Sequence, residues 1–369
     1  MIIINYQLSI INYQLSMTLN RVDRWQRRLV AARDAAGAAL ASEMTPYILK
    51  RLLQALVTLL LASALSFAII QLAPGDYLDK LAENPQISKE TLALYKERFG
   101  LDRPVLEQYA RWLWQIITKG DFGESFASQR PVADLLWERI PNTVLLSISS
   151  LVVTWAIAIP LGILSAVNQN RWLDRVLQAL GYAGQGFPSF ITALLLLFFA
   201  QNTAPLFPVG DMTSIYHQEL SPFGKVVDIA WHMILPTIAL SITSFAGLQR
   251  LTRGQLLDVM RQDYIQTARA KGLPENRVIY VHALRNAVNP LITILGFEFA
   301  SLLSGAFIAE TFFNWPGLGR LILQAVQDQD LYLVMGSLMM GAVMLIVGNL
   351  LADLLLKVAD PRIKLSDRD

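Results

Sequence analysis

The ionisable and nucleophilic side chains of this 369-residue chain offer little to a catalyst. It has no cysteine, so neither disulfides nor thiolate chemistry is available. Its three histidines, His217, His232 and His282, are widely separated in sequence, which argues against a His-based metal site. No Gly-x-x-x-x-Gly-Lys-Ser/Thr loop occurs, since Gly224-Lys225 lacks both the upstream glycine and the following hydroxyl. A hydrolase would need a nucleophile and an orienting base within hydrogen-bond reach. Here the histidines lie in or beside polar loops, and no two carboxylates sit together in the interior of an apolar run. What remains are isolated carboxylates in apolar surroundings and one basic cluster. Glu298 lies near the middle of an apolar run, where a charge costs about 2.5–3.5 kcal/mol, so it should face a bundle interior or a wet cavity. It reads either as a carboxylate lining a pathway or as a hydrogen-bonded structural residue. Glu310, at the end of the same run, reads as a gate or cap residue. Asp353 can pair with Lys357 one turn on and is no site candidate. The basic cluster runs from Arg250 to Arg285 and holds seven Lys/Arg against three Asp/Glu.

The elements that must position these groups are apolar helices. The chain is 54% hydrophobic and 16% charged, where a soluble chain of this length would be about a quarter charged. Apolar runs of about 20 residues recur, matching the hydrocarbon core. The expected fold class is an all-α polytopic membrane protein with six transmembrane helices. A tandem Ile-Asn-Tyr-Gln-Leu-Ser repeat at 4–9 and 11–16 and an Arg- and Ala-rich stretch make up an N-terminal extension, 1–43, and Met44 is an alternative start. The first transmembrane segment, 44–72, carries Lys50 and Arg51 at its head, which places that end in the cytoplasm. A long polar segment, 73–140, should lie outside. Within it Ser88 can cap a helix that Gly100 ends, and Pro104 opens a second with Tyr109, Trp112 and Leu113, a pair suited to the membrane interface. The remaining spans fall at about 141–167, 176–201, 229–248, 290–312 and 331–356 within a block of 141–357, followed by a tail, 358–369. Basic turns at 168–175, 250–285 and 357–364 all fall on one side, so both termini are expected inside.

The stretch 252–289 is therefore a cytoplasmic loop. Asp263 to Ala270 has helix formers, Gly272 breaks the pattern, and Pro274-Glu275 suits the first turn of a second helix over 276–284. Charge alone leaves two readings, attraction to anionic lipid at about 1 kcal/mol per basic residue, or docking of a partner.

The segment Asp263-Tyr-Ile-Gln-Thr-Ala-Arg-Ala-Lys-Gly272, followed by Val281-His-Ala-Leu-Arg-Asn286, resembles the coupling loop of bacterial ABC-importer permeases, in particular the dipeptide, oligopeptide and nickel subfamily. Leu72-Ala-Pro-Gly-Asp76, Phe99-Gly-Leu-Asp-Arg-Pro104, Arg139-Ile-Pro-Asn142, Glu310-Thr-Phe-Phe-Asn-Trp-Pro-Gly-Leu-Gly319 and Asp360-Pro-Arg362 resemble that subfamily in the same order, so the likeness covers about 44–364. It implies a type I ABC-importer transmembrane domain that acts in the bacterial cytoplasmic membrane. Its expected partners are a second homologous permease, two ATP-binding cassette ATPase subunits that supply the hydrolysis, an extracytoplasmic solute-binding protein and membrane lipid. No cofactor of its own and no nucleic acid are expected. The loop residues it marks are Gln266, Thr267, Ala268, Arg269, Lys271, Gly272, Arg277 and Arg285, with the basic side chains against acidic ATPase rims and Gly272 setting the turn. Glu298 and Glu310 become pathway or gate candidates, Glu298 facing the amino group of a peptide. The sequence departs from the broad pattern where Glu-Ala-Ala is expected: Gln266-Thr267-Ala268 leaves no carboxylate at 266 for the ATPase, and the closing Leu-Pro is absent from its usual place. A self-sufficient channel or secondary transporter is the alternative, and an enzyme fits least.

Overall fold

The computed structural model describes residues 46–359, apart from 73, 74, 76, 84, 85, 204, 205, 289, 293, 296, 297 and 299–305. The extension 1–43 and the Asp360-Pro361-Arg362 segment lie outside these residues. The compact unit is Ala55–Ile363. A second unit comprises Met1–Gln54 and Lys364–Asp369; only 46–54 of it are described, and there Arg51 Nε donates to the Tyr47 hydroxyl at 2.8 Å.

The described residues are overwhelmingly helical. In chain order the helices are α1 (46–72), α2 (Tyr77–Ala82), α3 (Lys89–Arg98), α4 (Val105–Lys119), α5 (Val132–Val167), α6 (Trp172–Gly186), α7 (Ser189–Asn202), α8 (Pro222–Met260), α9 (Asp263–Ala270), α10 (Glu275–Arg277), a π-helical turn (Val278–Ala283), α11 (Leu284–Ala287), α12 (Phe307–Phe312), α13 (Leu318–Gln327) and α14 (Leu331–Ala359). By length and apolarity α1, α5, α8 and α14 can each cross a membrane, and α6 with α7 makes a fifth span if the bent pair counts as one. The expected span over 290–312 falls partly outside the described residues.

In three places the structure departs from the sequence expectation, each for a physical reason. The span expected over 176–201 is broken, with α6 and α7 at 100° to each other. Phe187 precedes Pro188 and takes an extended ψ of 124°, because a proline disfavours helix at the residue before it. The helix of the fourth span does not stop at 248: α8 continues to Met260, beyond the Pro222–Ile242 stretch that is apolar enough to cross a membrane, so residues 252–260 of the expected loop are helical. Finally, the second loop helix, expected as ordinary helix over 276–284, passes through the π turn at Val278–Ala283.

The bundle is organised on the seam between α5 and α8. Ser149 Oγ and Thr237 Oγ1 hydrogen-bond at 2.9 Å, and Ser150 meets Ser241 at 3.4 Å. Hydroxyl and small residues let two apolar helices approach and bind without a hydrophobic driving force from lipid. At Gly162 the approach is closest: a Cβ there would lie 2.6 Å from Thr252 Cβ and 2.8 Å from the Gln249 carbonyl oxygen.

Where 73–140 packs against α1 and α14, a second core forms. Phe67 of α1 packs with Phe99, Trp112, Phe126, Leu331 and Met335. Ser88 caps α3 by accepting from Thr91 N at 3.2 Å, and Gly100 (φ +68°) and Gly120 (φ +65°) turn the chain after α3 and α4. The buried Asp330 holds this layer to the last span. Its Oδ2 accepts from Ser125 Oγ at 2.7 Å and Ala127 N at 3.1 Å, while its Oδ1 caps α14 at Leu333 N.

Candidate functional site

The loop after α8 folds back on the end of the bundle formed by the last turns of α5 and α8. Ile265 and Ala268 of α9, Val278 and Ala283 of the π turn and Ala287 of α11 are buried against Ile163, Ala166, Leu256 and Leu257. One face of each short helix is thus core, and the other is presented outward. Gly272 N donates to Arg269 O at 2.9 Å with Gly272 at φ +76°, which ends α9 in a left-handed turn that a glycine adopts without strain. Asn286 Nδ2 donates to the Tyr264 hydroxyl at 2.8 Å, tying α9 to α11. The result is a compact knob with Tyr264, Tyr280 and Val281 about half exposed on it.

The seven basic residues divide into two groups. Arg250 stacks on Tyr182 at 5.1 Å and bonds to Gln185, and Arg253 is bound to Asp174. Arg269 is engaged by Glu275, with Nη2 to Oε1 at 2.7 Å. That guanidinium holds the Glu275 carboxyl below its ordinary pKa. An acid with a depressed folded-state pKa stabilises the fold above its unfolded pKa and loses that stabilisation as the pH falls through the folded value, so the link is fully formed at neutral pH. Arg261, Lys271, Arg277 and Arg285 are exposed and make no ion pair or side-chain hydrogen bond among the described residues. Gln266 and Thr267 are exposed beside them, their side chains bonding back to Met260 O at 3.4 Å and Asp263 O at 2.9 Å. Ala268 is 8% exposed and packs inward.

Two further carboxylates organise the bundle. Asp174, fully buried near the start of α6, accepts from Arg253 Nε and Nη2, both at 2.8 Å, and from Ser165, Asn170 N and Gln178. Glu310, fully buried on α12, accepts from Thr143 Oγ1 at 2.6 Å, Gly319 N at 2.7 Å and Arg320 N at 3.2 Å. Thr143 Oγ1 in turn accepts from Leu318 N at 2.8 Å, so α13 begins on a carboxylate and a hydroxyl that take up its free N–H groups. Around them Asn142 Nδ2 donates to Pro316 O and Trp315 Nε1 to Asn142 O, at 2.8 and 3.0 Å. The segment Glu310–Gly319 is in this way a clasp that closes on α5. Glu298 stands apart from both carboxylates; its Oε2 accepts from Trp155 Nε1 of α5 at 2.8 Å.

The histidines are far apart in sequence, yet two converge in the fold. His217 Nδ1 lies 2.7 Å from Asp228 Oδ2, and His232 Nδ1 lies 2.9 Å from Asp228 O and 3.4 Å from its Oδ1. Ser214 N also donates to Asp228, which fastens the loop before α8. The sequence carries a partial signal, because Asp228 and His232 sit one helical turn apart. Among the described residues no group of three or more His, Cys, Asp or Glu is placed to hold a metal ion.

Comparison with known proteins bears on the whole of this arrangement. A family described as binding-protein-dependent transport system inner membrane component matches residues 158–365, and the N-terminal family of such membrane components matches residues 44–147. The oligopeptide transport system permease protein AppB of Bacillus subtilis (strain 168) is 38% identical over 322 residues, covering 87% of this chain and 100% of the relative. The dipeptide transport system permease protein DppB of Escherichia coli (strain K12) is 36% identical over 337 residues, covering 87% and 99%. The glutathione transport system permease protein GsiC of Escherichia coli (strain K12) is 34% identical over 322 residues, with the same coverage. In fold, a chain of the MetNI methionine ABC transporter in an inward-facing conformation superposes with a TM-score of 0.50 at 15% identity, over 61% of this chain and 96% of that one.

Proposed function

Because the chain belongs to the binding-protein-dependent transport system inner membrane component family, we propose that it is the permease subunit of an ATP-driven importer for peptides. In this reading both termini are cytoplasmic and the knob at 261–289 is gripped by an ATPase subunit. A second, homologous permease with its own ATPase completes the pathway, and an extracytoplasmic binding protein delivers the solute. Peptides are favoured over nickel complexes because the similar permeases are named for oligopeptides, dipeptides and glutathione. Closure of two ATPases would draw the knobs together and turn the bundle outward, a coupling free energy carried by a two-state element.

The observation that carries this reading is the knob itself. Its apolar faces are buried, while Arg261, Lys271, Arg277 and Arg285 are left exposed around a glycine turn. A Cβ at Gly272 would meet nothing within 4 Å. Gly272→Leu therefore costs this chain only the left-handed backbone strain, about 1–2 kcal/mol, and any larger effect must arise at the partner. The variant should insert and assemble with its ATPases, while transport per ATP hydrolysed in proteoliposomes falls on the order of tenfold. An unchanged ratio in an assembled complex would refute the coupling role. Uptake by this chain alone, driven by an ion gradient, would refute the importer reading altogether.

Glu298 is proposed to line the pathway and meet the substrate's amino group, with Trp155 orienting its carboxylate. Glu298→Gln should then slow uptake of peptides with a free amino terminus more than that of N-acetylated ones. Equal rates for both would leave Glu298 a structural residue.

A further inference from the structure

Helix α4 has an apolar arc about 200° wide at 100° per residue, and only half of it is covered. Tyr109, Trp112, Leu113 and Ile116 pack into the second core, and Trp112 Nε1 donates to Phe122 O at 3.0 Å. The other half carries Leu106, Trp114 and Ile117, which are 83%, 68% and 67% exposed. Beyond Trp114, opposite the covered half, lie the polar Glu107, Arg111 and Thr118, with Glu107 bound to both Arg103 and Arg111. An apolar face of this size left open on an ordered helix calls for a partner.

Two contacts with α1 fix where that face sits. Gln71 Nε2 donates to Gln108 Oε1 at 3.4 Å, at the end of the apolar run that Ala73-Pro74-Gly75 terminates. The neighbouring Tyr109 reaches much lower, its hydroxyl 2.9 Å from Ser63 Oγ and 3.4 Å from the Leu60 carbonyl, with its ring 5.3 Å from that of Phe67. Ser63 and Gln71 are separated by about 12 Å of helical rise. The start of α4 therefore lies beside the apolar run of α1 and not beyond its end, a level at which an amphipathic helix meets the bilayer interface. On α1 itself Leu61, Leu65 and Ile69 are open on the face turned away from α4, so α1 has α4 on one side and an unpartnered apolar surface on the other.

We infer that α4 is seated in the leaflet on the 73–140 side, with Leu106, Trp114 and Ile117 immersed in lipid acyl chains. The occupant of the face is the bilayer, not another polypeptide. The segment between the first two spans is then a membrane-embedded collar around α1 whose polar edge alone meets water.

The absence of native cysteine makes the test direct. Ile117→Cys and Thr118→Cys, in the full chain, would be spin-labelled and reconstituted into vesicles of phosphatidylcholine and phosphatidylglycerol. Collision rates would then be measured with oxygen, which partitions into lipid, and with chromium oxalate, which stays in water. The ratio of oxygen to chromium oxalate accessibility should be several-fold higher at 117 than at its neighbour 118. Leu106→Cys should match 117 and serves if that variant folds poorly. Equal, water-like accessibility at 106, 117 and 118 overturns the inference. So does shielding of 106 and 117 from both reagents, which would mean that a protein covers the ridge.

Discussion

Gly317→Ala is expected to leave almost no folded protein in the membrane. A Cβ at this position would stand 2.2 Å from both Cδ and Oε1 of Glu310. That carboxylate cannot step aside, because Thr143 Oγ1 and the N–H groups of Gly319 and Arg320 hold it in a fully buried site. Overpacking costs about 1–3 kcal/mol, and each buried donor that loses its acceptor costs about 1–3 kcal/mol more. With three such donors the total is roughly 4–12 kcal/mol, comparable with the stability of a whole domain. The measurement is the yield and melting temperature of the detergent-solubilised chain. Glu310→Ala removes the obstacle, so the double variant should fold better than Gly317→Ala alone, although worse than the natural sequence. A monodisperse Gly317→Ala protein with an unchanged melting temperature would show that the clasp tolerates what its geometry forbids.

The second large effect is expected at Asp174. Five donors converge on its carboxylate, two of them from Arg253, 79 residues away in sequence. Asp174→Asn keeps the volume and removes the charge, which leaves a guanidinium facing a neutral amide in the bundle. Breaking a buried pair from one side costs about 3–5 kcal/mol; since the Arg253 side chain is 19% exposed, the lower end applies. Arg253→Met should be similarly harmful, because it strands the carboxylate. The double variant should recover much of the loss, since an apolar pair needs no partner charge. A double-mutant cycle on melting temperature reads the coupling directly, and additive single effects would mean that the pair does not act as a unit.

Much of the architecture is legible in the sequence because hydrocarbon imposes length and apolarity on every span. The turn at Gly272 is legible for a local reason, since a run of helix formers that stops at a glycine commonly ends there in a left-handed cap. Charge is harder to read. Arg253 counts as part of a basic loop until the chain is folded, when it proves to be neutralised by Asp174, itself hidden in a turn that reads as basic. Nothing local to either residue reveals the other. Glu310 has the same character. The spacing to Gly319 is visible in sequence, but Thr143, the hydroxyl that both caps α13 and binds the carboxylate, comes from another span. His217 and Asp228 meet only because the loop between them folds back on the start of α8. Sequence patterns report what one helix does with its own surface; they are silent where two distant helices complete each other's polar groups.

The seam between α5 and α8 has a mechanical consequence. It is pinned by hydroxyl pairs at Ser149–Thr237 and Ser150–Ser241 and by backbone contact at Gly162, and α6 is tied to α8 below it by Asp174–Arg253. Helices fastened at several levels resist sliding along each other, so the pair would tilt as one body. The 39 residues of α8 give that body a length of about 58 Å. If the knob is where an ATPase grips, as proposed, a push there would not be absorbed locally. A tilt of about ten degrees, pivoting at the knob, would swing the far end through roughly 10 Å, enough to part or close a passage for a small solute.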